Sequence, residues 1–229
     1  MTYDLFIGDR SFSSWSLRGW LMFRRFDLPF TTTMVGLYSG TMAADLAALA
    51  PARTVPALRT PEGHVLSDSL AMAETLAERH PEAGLWPKDP AARALARSIV
   101  AEMHSGFSAL RGDCPMVLTH AWAGFEPGAA VRADLARIET LWELARSRHG
   151  ADGPWLFGAY SLADVFYAPV ACRIAGYQLQ VSDAAAAYVD AHLRDPAFLE
   201  WRTEALKERH DPFPYSAGTG TAPWPVNQS

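Results

Sequence analysis

Short alternating segments and longer periodic segments follow one another through the first eighty residues. Residues 3–7 alternate loosely between apolar and polar side chains, and residues 30–35 are rich in β-branched and aromatic types; both patterns predict strands. Between them, apolar residues fall at three- and four-residue spacings over about residues 14–26, which predicts a helix. A looser helical pattern covers about residues 42–49.

A hairpin and a further helix complete this region. Residues 55–60 and 65–66 flank a Pro-Glu-Gly turn, as the two strands of a hairpin do. Proline removes a ladder hydrogen bond, so Pro56 requires a strand edge, a first strand position or a special backbone geometry. Ser67 or Asp68 can cap the helix that follows, and the predicted order is therefore βαβαββα.

A proline-rich segment separates this region from a second one with a helical pattern. Residues 81–90 hold three prolines and a glycine, which indicates a linker. Helical periodicity then covers residues 91–112, a continuous apolar stripe from Val131 to Ala145, and a segment near residues 196–209.

The change of pattern predicts two domains. We expect an α/β domain over residues 1–80, the linker over residues 81–90, an all-helical domain over residues 91–211 and an extended tail over residues 212–229. The tail is rich in Pro, Gly, Ser and Thr, which favour an extended or disordered chain.

Composition and charge exclude several classes of protein. Hydrophobic residues make up 49% of the 229 residues and charged residues 20%, which is typical of a globular chain. No run approaches eighteen consecutive apolar residues and the N-terminus does not read as a secretory signal, so we expect a cytoplasmic protein with no membrane partner. The net charge of -5 gives no basic footprint for nucleic acid.

The cysteine count limits the chemistry. Cys114 and Cys172 are the only two cysteines, which excludes a disulfide scaffold and a four-cysteine zinc site. His104, Cys114 and His120 lack the spacing of metal ligands, so we predict no metal site. Any thiol chemistry therefore uses a thiol that a ligand supplies.

The segment between the first strand and the first helix carries the candidate chemistry. Residues 10–16 read Arg-Ser-Phe-Ser-Ser-Trp-Ser. Hydroxyls at a helix N-terminus lie beside free backbone amides and the positive end of the helix dipole, a setting that favours an anion. A serine-rich helix cap without a binding role explains the same composition.

Several motifs resemble those of glutathione transferases, and they occur in the family's order along nearly the whole chain. Residues 11–18 resemble the serine motif S-S-C-S-W-R-V-R of the zeta-like class and related bacterial branches. The other motifs are Val55-Pro56, similar to the family's cis-proline; Asp68-Ser69, similar to its Glu/Gln-Ser pair; Leu85-Trp86-Pro87, similar to its interdomain linker; and Ser161-Leu162-Ala163-Asp164, similar to its capping box.

The resemblance implies a thioredoxin-like domain that binds glutathione, followed by an all-helical domain that lines the acceptor site. The implied protein is a homodimeric serine-type enzyme without a metal, which conjugates the glutathione thiolate to a small electrophile, as in detoxification. Two alternatives remain open. One is a glutathione-dependent cis-trans isomerase similar to maleylacetoacetate isomerase, and the other is a protein that binds glutathione or another ligand without turnover.

A serine hydroxyl is sufficient to activate the thiol of glutathione. Lowering a thiol pKa from near 8.5 by about two units requires about 2.7 kcal/mol. A helix N-terminus contributes about 0.3–1 kcal/mol, and a charge-assisted hydrogen bond contributes about 1.5–3 kcal/mol. No separate general base is required.

The resemblance ranks the serines of the loop. Counting back from Arg18, the last arginine of the zeta-like motif, places the family's catalytic serine on Ser11. Because Phe12 and Ser13 replace a serine and a cysteine of the motif, we rank Ser11 first, Ser13 second and Ser14 third. Without the loop cysteine, a mixed disulfide with glutathione is disfavoured, and with it a glutaredoxin-like activity.

The resemblance also implies the remaining glutathione contacts. The backbone at Val55-Pro56 is expected to meet the cysteinyl part, and Asp68 and Ser69 the γ-glutamyl group. Arg53 matches a basic position that can pair with the glycyl carboxylate. A solvated surface arginine explains Arg53 equally well, and a helix cap explains Asp68.

The acceptor pocket is expected on the first helix of the helical domain. Met103 and Phe107 share a helix face at four-residue spacing, and His104 lies beside them. Gly106 lowers helix propensity, which marks a close approach of a ligand or another backbone. Packing in the core is the competing interpretation for these side chains.

Overall fold

The computed structural model of the protein describes residues 2–150, 153–207 and 209–225, so residues 226–229 of the predicted tail lie outside the described residues. Its strands are β1 (Tyr3–Ile7), β2 (Phe30–Met34), β3 (Ala57–Arg59), β4 (Val65–Leu66), β5 (Ala121–Ala123) and β6 (Gly220–Ala222). Its α-helices are α1 (Ser14–Arg24), α2 (Met42–Asp45), α3 (Ser69–Arg79), α4 (Pro90–Ser105), α5 (Ser108–Asp113), α6 (Ala129–His149), α7 (Leu162–Gly176), α8 (Asp183–Leu193) and α9 (Pro196–Lys207).

The first four strands form one sheet in the order β2-β1-β3-β4. β1 runs parallel to β2 and antiparallel to β3, and its Leu5 pairs with Thr32 on one side and Leu58 on the other. Alternate residues of β1 are fully buried, as the alternating pattern predicts. The βαβαββα order and the thioredoxin-like fold of this region are confirmed, and a helical region follows it.

Gly19 allows the first helix to approach the turn before β3. The Val55–Pro56 peptide bond is cis, and a Cβ atom placed on Gly19 would lie 2.8 Å from the Cβ atom of Pro56. A side chain at this position would therefore push α1 away from the cis-proline. The close packing brings the N-terminus of α1 and the backbone of Val55 to the same edge of the domain.

Helix α7 is the centre of the helical region, and every one of its residues is buried. The predicted capping box is present at its start, where Ser161 Oγ accepts from the Ala163 amide and Asp164 accepts from the Ser161 amide. Asp164 also accepts from the Leu156 amide and the Tyr188 hydroxyl. This carboxylate therefore ties the start of α7 to the preceding loop and to α8.

The helix predicted over residues 91–112 is divided into α4 and α5. Gly106 is extended, and Phe107 has φ 55° and ψ 45°, so the chain turns sharply between the two helices. The Leu110 amide donates to Asp134 of α6 at 2.9 Å, which fixes the direction of α5. The division carries α5 to the side of the molecule where α1 begins.

The C-terminal segment packs back onto both regions. β6 pairs antiparallel with β5, two strands that the sequence pattern does not predict. Asp211 accepts from the Leu37 and Ser39 amides of the thioredoxin-like domain, and Asp9 accepts from the His210 and Asp211 amides. Among the described residues, no helix combines the length and the apolar character that a membrane crossing needs.

Candidate active site

A cleft of about 750 Å³ lies between the thioredoxin-like domain and the helical region. Its walls come from the loop before α1, the segment around the cis-proline, α5, α7 and the C-terminal segment. The lining residues are Phe12, Ser13, Ser14, Trp15, Leu37, Tyr38, Met42, Thr54, Val55, Pro56, Ser67, Asp68, Ser108, Arg111, Gly112, Pro115, Met116, Arg173 and Tyr215.

The structure brings Ser13 and Ser14 into the cleft, but not Ser11. The Ser11 side chain is fully buried, and its hydroxyl donates to the Ala205 carbonyl of α9 at 3.2 Å. Ser13 is the N-cap of α1: its oxygen accepts from the Ser16 amide, and its hydroxyl donates to Ser16 Oγ at 2.7 Å. The protons of both hydroxyls are therefore engaged inside the protein.

Ser14 differs from the other two serines in its hydrogen bonding. It is the first residue of α1, and its Oγ accepts from Nη2 of Arg173 at 3.2 Å. Among the described residues the Ser14 hydroxyl has no acceptor for its own proton. A cation therefore fixes the oxygen of Ser14 and leaves its O–H group able to donate to a ligand in the cleft.

Three guanidinium groups converge beside this serine. Arg18 and Arg173 are almost fully buried, and the Cζ atoms of Arg18 and Arg111 lie 4.6 and 4.7 Å from the ring centroid of Trp15. Burial and the neighbouring Arg173 lower the pKa of Arg18 to about 9. Burial, with Arg111 adding to it, lowers the pKa of Arg173 to about 10, so Arg18 and Arg173 both stay charged at neutral pH.

Among the described residues no carboxylate oxygen lies within 4 Å of the three guanidiniums, and the charge of Asp68 raises the pKa of Arg18 only as a minor, longer-range effect. Nη1 of Arg173 donates to the Pro169 carbonyl, and Nη1 of Arg111 donates to the His104 and Gly106 carbonyls. Nε and Nη1 of Arg18 and Nε of Arg173 are buried without a hydrogen-bond partner. The cleft is therefore locally positive in a protein whose net charge is -5.

The segments predicted to hold glutathione lie partly in the cleft. Val55, Pro56 and Asp68 line it, and the Ser69 hydroxyl is buried without a hydrogen-bond partner among the described residues. Asp68 is also the N-cap of α3, where its Oδ1 accepts from the Leu70 and Ala71 amides. Arg53 is exposed and does not line the cleft.

The side chains predicted for the acceptor pocket are not among those that line the cleft. Met103 and Phe107 are buried in the hydrophobic core. Nε2 of His104 lies 3.1 Å from Oδ2 of Asp68, and its ring packs edge-on against Trp15. His104 therefore contacts two residues that line the cleft without lining it itself.

The helical side of the cleft is instead formed by residues that sequence reasoning missed. These are Ser108, Arg111, Gly112, Pro115, Met116, Arg173 and Tyr215. Arg173 did carry a signal, because it is a lone cation in the otherwise apolar stretch that forms α7. Tyr215 carried none, since it lies in a segment rich in Pro, Gly and Ser.

The two cysteines do not supply a nucleophile to this cleft. Burial raises the pKa of both the Cys114 and the Cys172 thiol to about 12. Thiols with such pKa values are not ionised at neutral pH and are inert. No group of three or more His, Cys, Asp or Glu side chains that could hold a metal ion occurs in the part of the chain that the structure describes.

Solved structures similar to this one include glutathione transferases. A glutathione transferase homologue from Burkholderia GL BGR1, solved with bound glutathione, matches with a TM-score of 0.68 at 21% identity, covering 91% of this chain and 100% of that chain. Human glutathione-S-transferase T1-1 matches with a TM-score of 0.63 at 23% identity, covering 90% of each chain. The protein therefore has the glutathione transferase fold.

Sequence comparisons point to the same family for part of the chain. Residues 12–79 match the family model described as the N-terminal domain of glutathione S-transferase. A probable maleylacetoacetate isomerase of Caenorhabditis elegans is 39% identical over 101 residues, or 44% of this chain and 46% of that protein. Maleylacetoacetate isomerase of Pseudomonas aeruginosa is 33% identical over 129 residues, 53% and 57% of the two chains. The chain spans about half the length of the curated relatives that it matches.

Proposed function

We propose that the protein is a glutathione-dependent enzyme that stabilises the glutathione thiolate against Ser14 and adds it to a small electrophile. The observation that carries this proposal is the Ser14 hydroxyl, which lies at the N-terminus of α1, faces the cleft and is held by Arg173 through its oxygen alone. Because a thiolate carries no proton, a hydroxyl held in this way interacts with it as the hydrogen-bond donor.

The local charges are sufficient for the activation. A shift of two pKa units requires about 2.7 kcal/mol. A charge-assisted hydrogen bond from Ser14 and the N-terminus of α1 together contribute about that amount. The buried guanidinium of Arg173 adds further stabilisation, because a positive charge close to a thiol favours its ionised form.

The proposed glutathione site uses the thioredoxin-like side of the cleft. The backbone of Val55, which lines the cleft, would meet the cysteinyl part of the tripeptide, as the family resemblance implies. The unpartnered Ser69 hydroxyl can donate to the γ-glutamyl carboxylate, and Asp68 can accept from its ammonium group. The pairing of Arg53 with the glycyl carboxylate is proposed from the family resemblance alone. The homodimer and the cytoplasmic location are likewise proposals.

Isomerisation is a second candidate function, because the curated relatives are named maleylacetoacetate isomerases. Both reactions begin with addition of the thiolate to an electrophilic carbon. In conjugation the carbon–sulfur bond persists, whereas in isomerisation it breaks after rotation about the former double bond and glutathione is released unchanged. Consumption of free thiol during turnover distinguishes the two.

Serine-to-alanine variants test the assignment of Ser14. We expect Ser14→Ala to raise the pKa of the bound glutathione thiol by about one to two units, measured by ultraviolet titration of the thiolate. Turnover should fall by about tenfold to a hundredfold, with glutathione affinity by calorimetry nearly unchanged. Ser11→Ala and Ser13→Ala are the matched controls, since their hydroxyls donate inside the protein.

Two outcomes would contradict the proposal. The first is a rise of the bound thiol pKa to the value of free glutathione in Ser11→Ala or Ser13→Ala, with no change of this pKa in Ser14→Ala. This result would assign the activating role to that other serine. The second is that glutathione does not bind the wild-type protein in calorimetry, which would show that the protein is not a glutathione-dependent enzyme.

A further inference from the structure

Two tyrosine hydroxyls meet at the wall of the cleft. Tyr38 lies in the loop after β2 and Tyr215 in the C-terminal segment; both line the cleft, and their hydroxyls are hydrogen-bonded to each other. A phenol has a single proton to donate, so only one of the two hydroxyls donates in this bond. Neither hydroxyl has another hydrogen-bond partner among the described residues. One O–H group of the pair is therefore left to donate to a ligand.

The pair is held in position from both of its chain segments. Asp211 accepts from the Leu37 and Ser39 amides at 2.8 and 2.9 Å. These two residues flank Tyr38 in the chain, and Asp211 itself precedes Tyr215 by four residues. The two phenols are thus placed before a ligand arrives, as donors to a developing charge should be.

Phe12 joins the pair to the loop that carries the proposed thiolate site. Its ring packs edge-on against both phenols, with ring centroids 6.4 Å from that of Tyr38 and 5.9 Å from that of Tyr215. Phe12 lines the cleft itself and precedes Ser14 by two residues, which span at most about 7 Å of extended chain. The two hydroxyls therefore lie on the part of the cleft wall next to the proposed thiolate.

Tyr38 is a hydrogen-bond donor and not a base at neutral pH. Burial and the bond to Tyr215 raise the pKa of the Tyr38 hydroxyl above its ordinary value. The charges of Asp211 and Asp9 add smaller effects in the same direction. Within the described residues these two carboxylates accept only from backbone amides, so neither takes the proton of a phenol.

We propose that this hydroxyl pair donates a hydrogen bond to the carbonyl oxygen of an acceptor whose carbon–carbon double bond is conjugated to that carbonyl. The inference rests on the proposed function, because the oxygen becomes charged only when a thiolate adds. Sulfur forms a bond to the β carbon, the π electrons of the double bond form the enolate, and the carbonyl electron pair moves to oxygen. A solvent proton then reaches the α carbon and replaces the proton lost from the thiol. A hydrogen bond that strengthens as the oxygen gains charge lowers the barrier.

Phenylalanine variants test the donor role without removing a ring. In Tyr38→Phe or Tyr215→Phe one hydroxyl remains, and it can donate its proton to the acceptor. The double variant Tyr38→Phe/Tyr215→Phe has no donor at this place. We therefore expect the two single losses to be small and the loss in the double variant to exceed their product.

Two acceptors separate the hydrogen bond from packing. Benzylideneacetone is a conjugated ketone whose oxygen gains charge on addition, whereas 4-nitrobenzyl chloride loses chloride with its electron pair and has no carbonyl. The measured quantity is the ratio of kcat/KM for the ketone to kcat/KM for the chloride. We expect this ratio to fall about tenfold to a hundredfold in the double variant and less than about threefold in each single variant.

Tyr3→Phe is the matched control. The Tyr3 hydroxyl bonds to Arg79 and His80 and does not line the cleft, so this variant should keep the wild-type ratio. Equal losses on both acceptors in the double variant would assign the pair to packing and overturn the proposal. A lower glutathione affinity by calorimetry with an unchanged ratio would assign the hydroxyls to glutathione and overturn it too.

An infrared measurement separates this inference from the proposed function. Benzylideneacetone labelled isotopically at its carbonyl carbon is bound without glutathione, so no turnover is required. Because a hydrogen bond lowers the carbonyl stretching frequency, we expect a lowered frequency in the wild type and in Tyr3→Phe, and an unshifted one in the double variant. This result supports the pair even if glutathione is not turned over. Equal frequencies in the wild type and the double variant overturn it even if glutathione conjugation is observed.

Discussion

The two sides of the cleft present different kinds of chemical groups. The thioredoxin-like side presents Val55 and the short polar side chains of Ser14 and Asp68, at the start of α1 and the N-cap of α3. The helical side presents long side chains, Arg111, Arg173 and Tyr215, which come from distant parts of the chain.

The two sides also differ in how they are held in place. The thioredoxin-like side rests on a sheet whose four strands all come from the first 66 residues of the chain. The helical side rests on α7, which carries Arg173, and on a C-terminal segment held by Asp9 and Asp211. Variants of these supports should therefore act on the acceptor side of the cleft more than on the glutathione side.

The largest effect is expected for Asp164→Ala. The variant removes the acceptor for the Leu156 and Ser161 amides and for the Tyr188 hydroxyl, all of them buried. Leaving several buried donors unsatisfied should lower the free energy of unfolding by about 3 kcal/mol or more, measured by urea denaturation.

Asp183→Ala is the matched control for this variant. Asp183 is an exposed acid in the first turn of α8, so its removal should cost less than about 1 kcal/mol. If the two variants lose equal stability, the capping box does not hold α7, and the support proposed for the helical side is wrong.

An intermediate effect is expected for Tyr215→Ala, which removes part of the cleft wall. The Tyr215 ring packs edge-on against Phe12 and Tyr38, and its hydroxyl bonds to that of Tyr38. Aromatic pairs of this kind contribute about 0.5–1.5 kcal/mol each, so KM for the acceptor should rise about twofold to tenfold. The dissociation constant for glutathione should change less than twofold in calorimetry.

Tyr215→Phe separates the ring from its hydroxyl. It keeps the packing against Phe12 and should recover most of the acceptor KM. An equal rise of the glutathione dissociation constant in Tyr215→Ala would show that the C-terminal segment serves both ligands, and the distinction between the two sides would not hold at this residue.

The sequence predicts the thioredoxin-like side well because its signals are local. Alternation, helix periodicity and a cis-proline motif each depend on residues close together in the chain, and β1, α1, β3 and α3 lie where these patterns place them. The serine loop was identified for the same reason. The direction of each hydroxyl was not predictable, because the Ser11 partner is Ala205 and the Ser14 partner is Arg173.

The helical side is less predictable because its groups meet only in the folded chain. The tail was expected to be extended or disordered from its Pro, Gly, Ser and Thr content; its pairing with β5 as β6 and the place of Tyr215 in the cleft have no signal in that composition. Gly106 was read as a mark of close approach of a ligand or another backbone; a Cβ atom there would lie 2.7 Å from the Glu102 carbonyl oxygen, at the point where the chain turns from α4 into α5. That turn buries Phe107 and places Arg111 in the cleft.

The smallest effect is expected for Glu74→Gln, at an ion pair that joins the two regions away from the cleft. Arg97 of α4 donates to both carboxylate oxygens of Glu74 of α3, at 2.7 and 3.1 Å. Exposed pairs contribute about 0.2–1 kcal/mol, and salt screens them. We therefore expect a loss of about 0.5 kcal/mol that disappears at high ionic strength.

The pair between Arg137 and Glu102 provides the matched comparison, because it lies wholly within the helical region. It has the same two-bond geometry at 2.7 and 2.9 Å, and its side chains are 53% and 35% exposed, against 48% and 34% for Arg97 and Glu74. Equal coupling energies in double-mutant cycles are expected if buried packing, rather than surface charge, joins the two regions. A clearly larger coupling energy for Arg97 and Glu74 would instead indicate that this surface pair helps to set the width of the cleft.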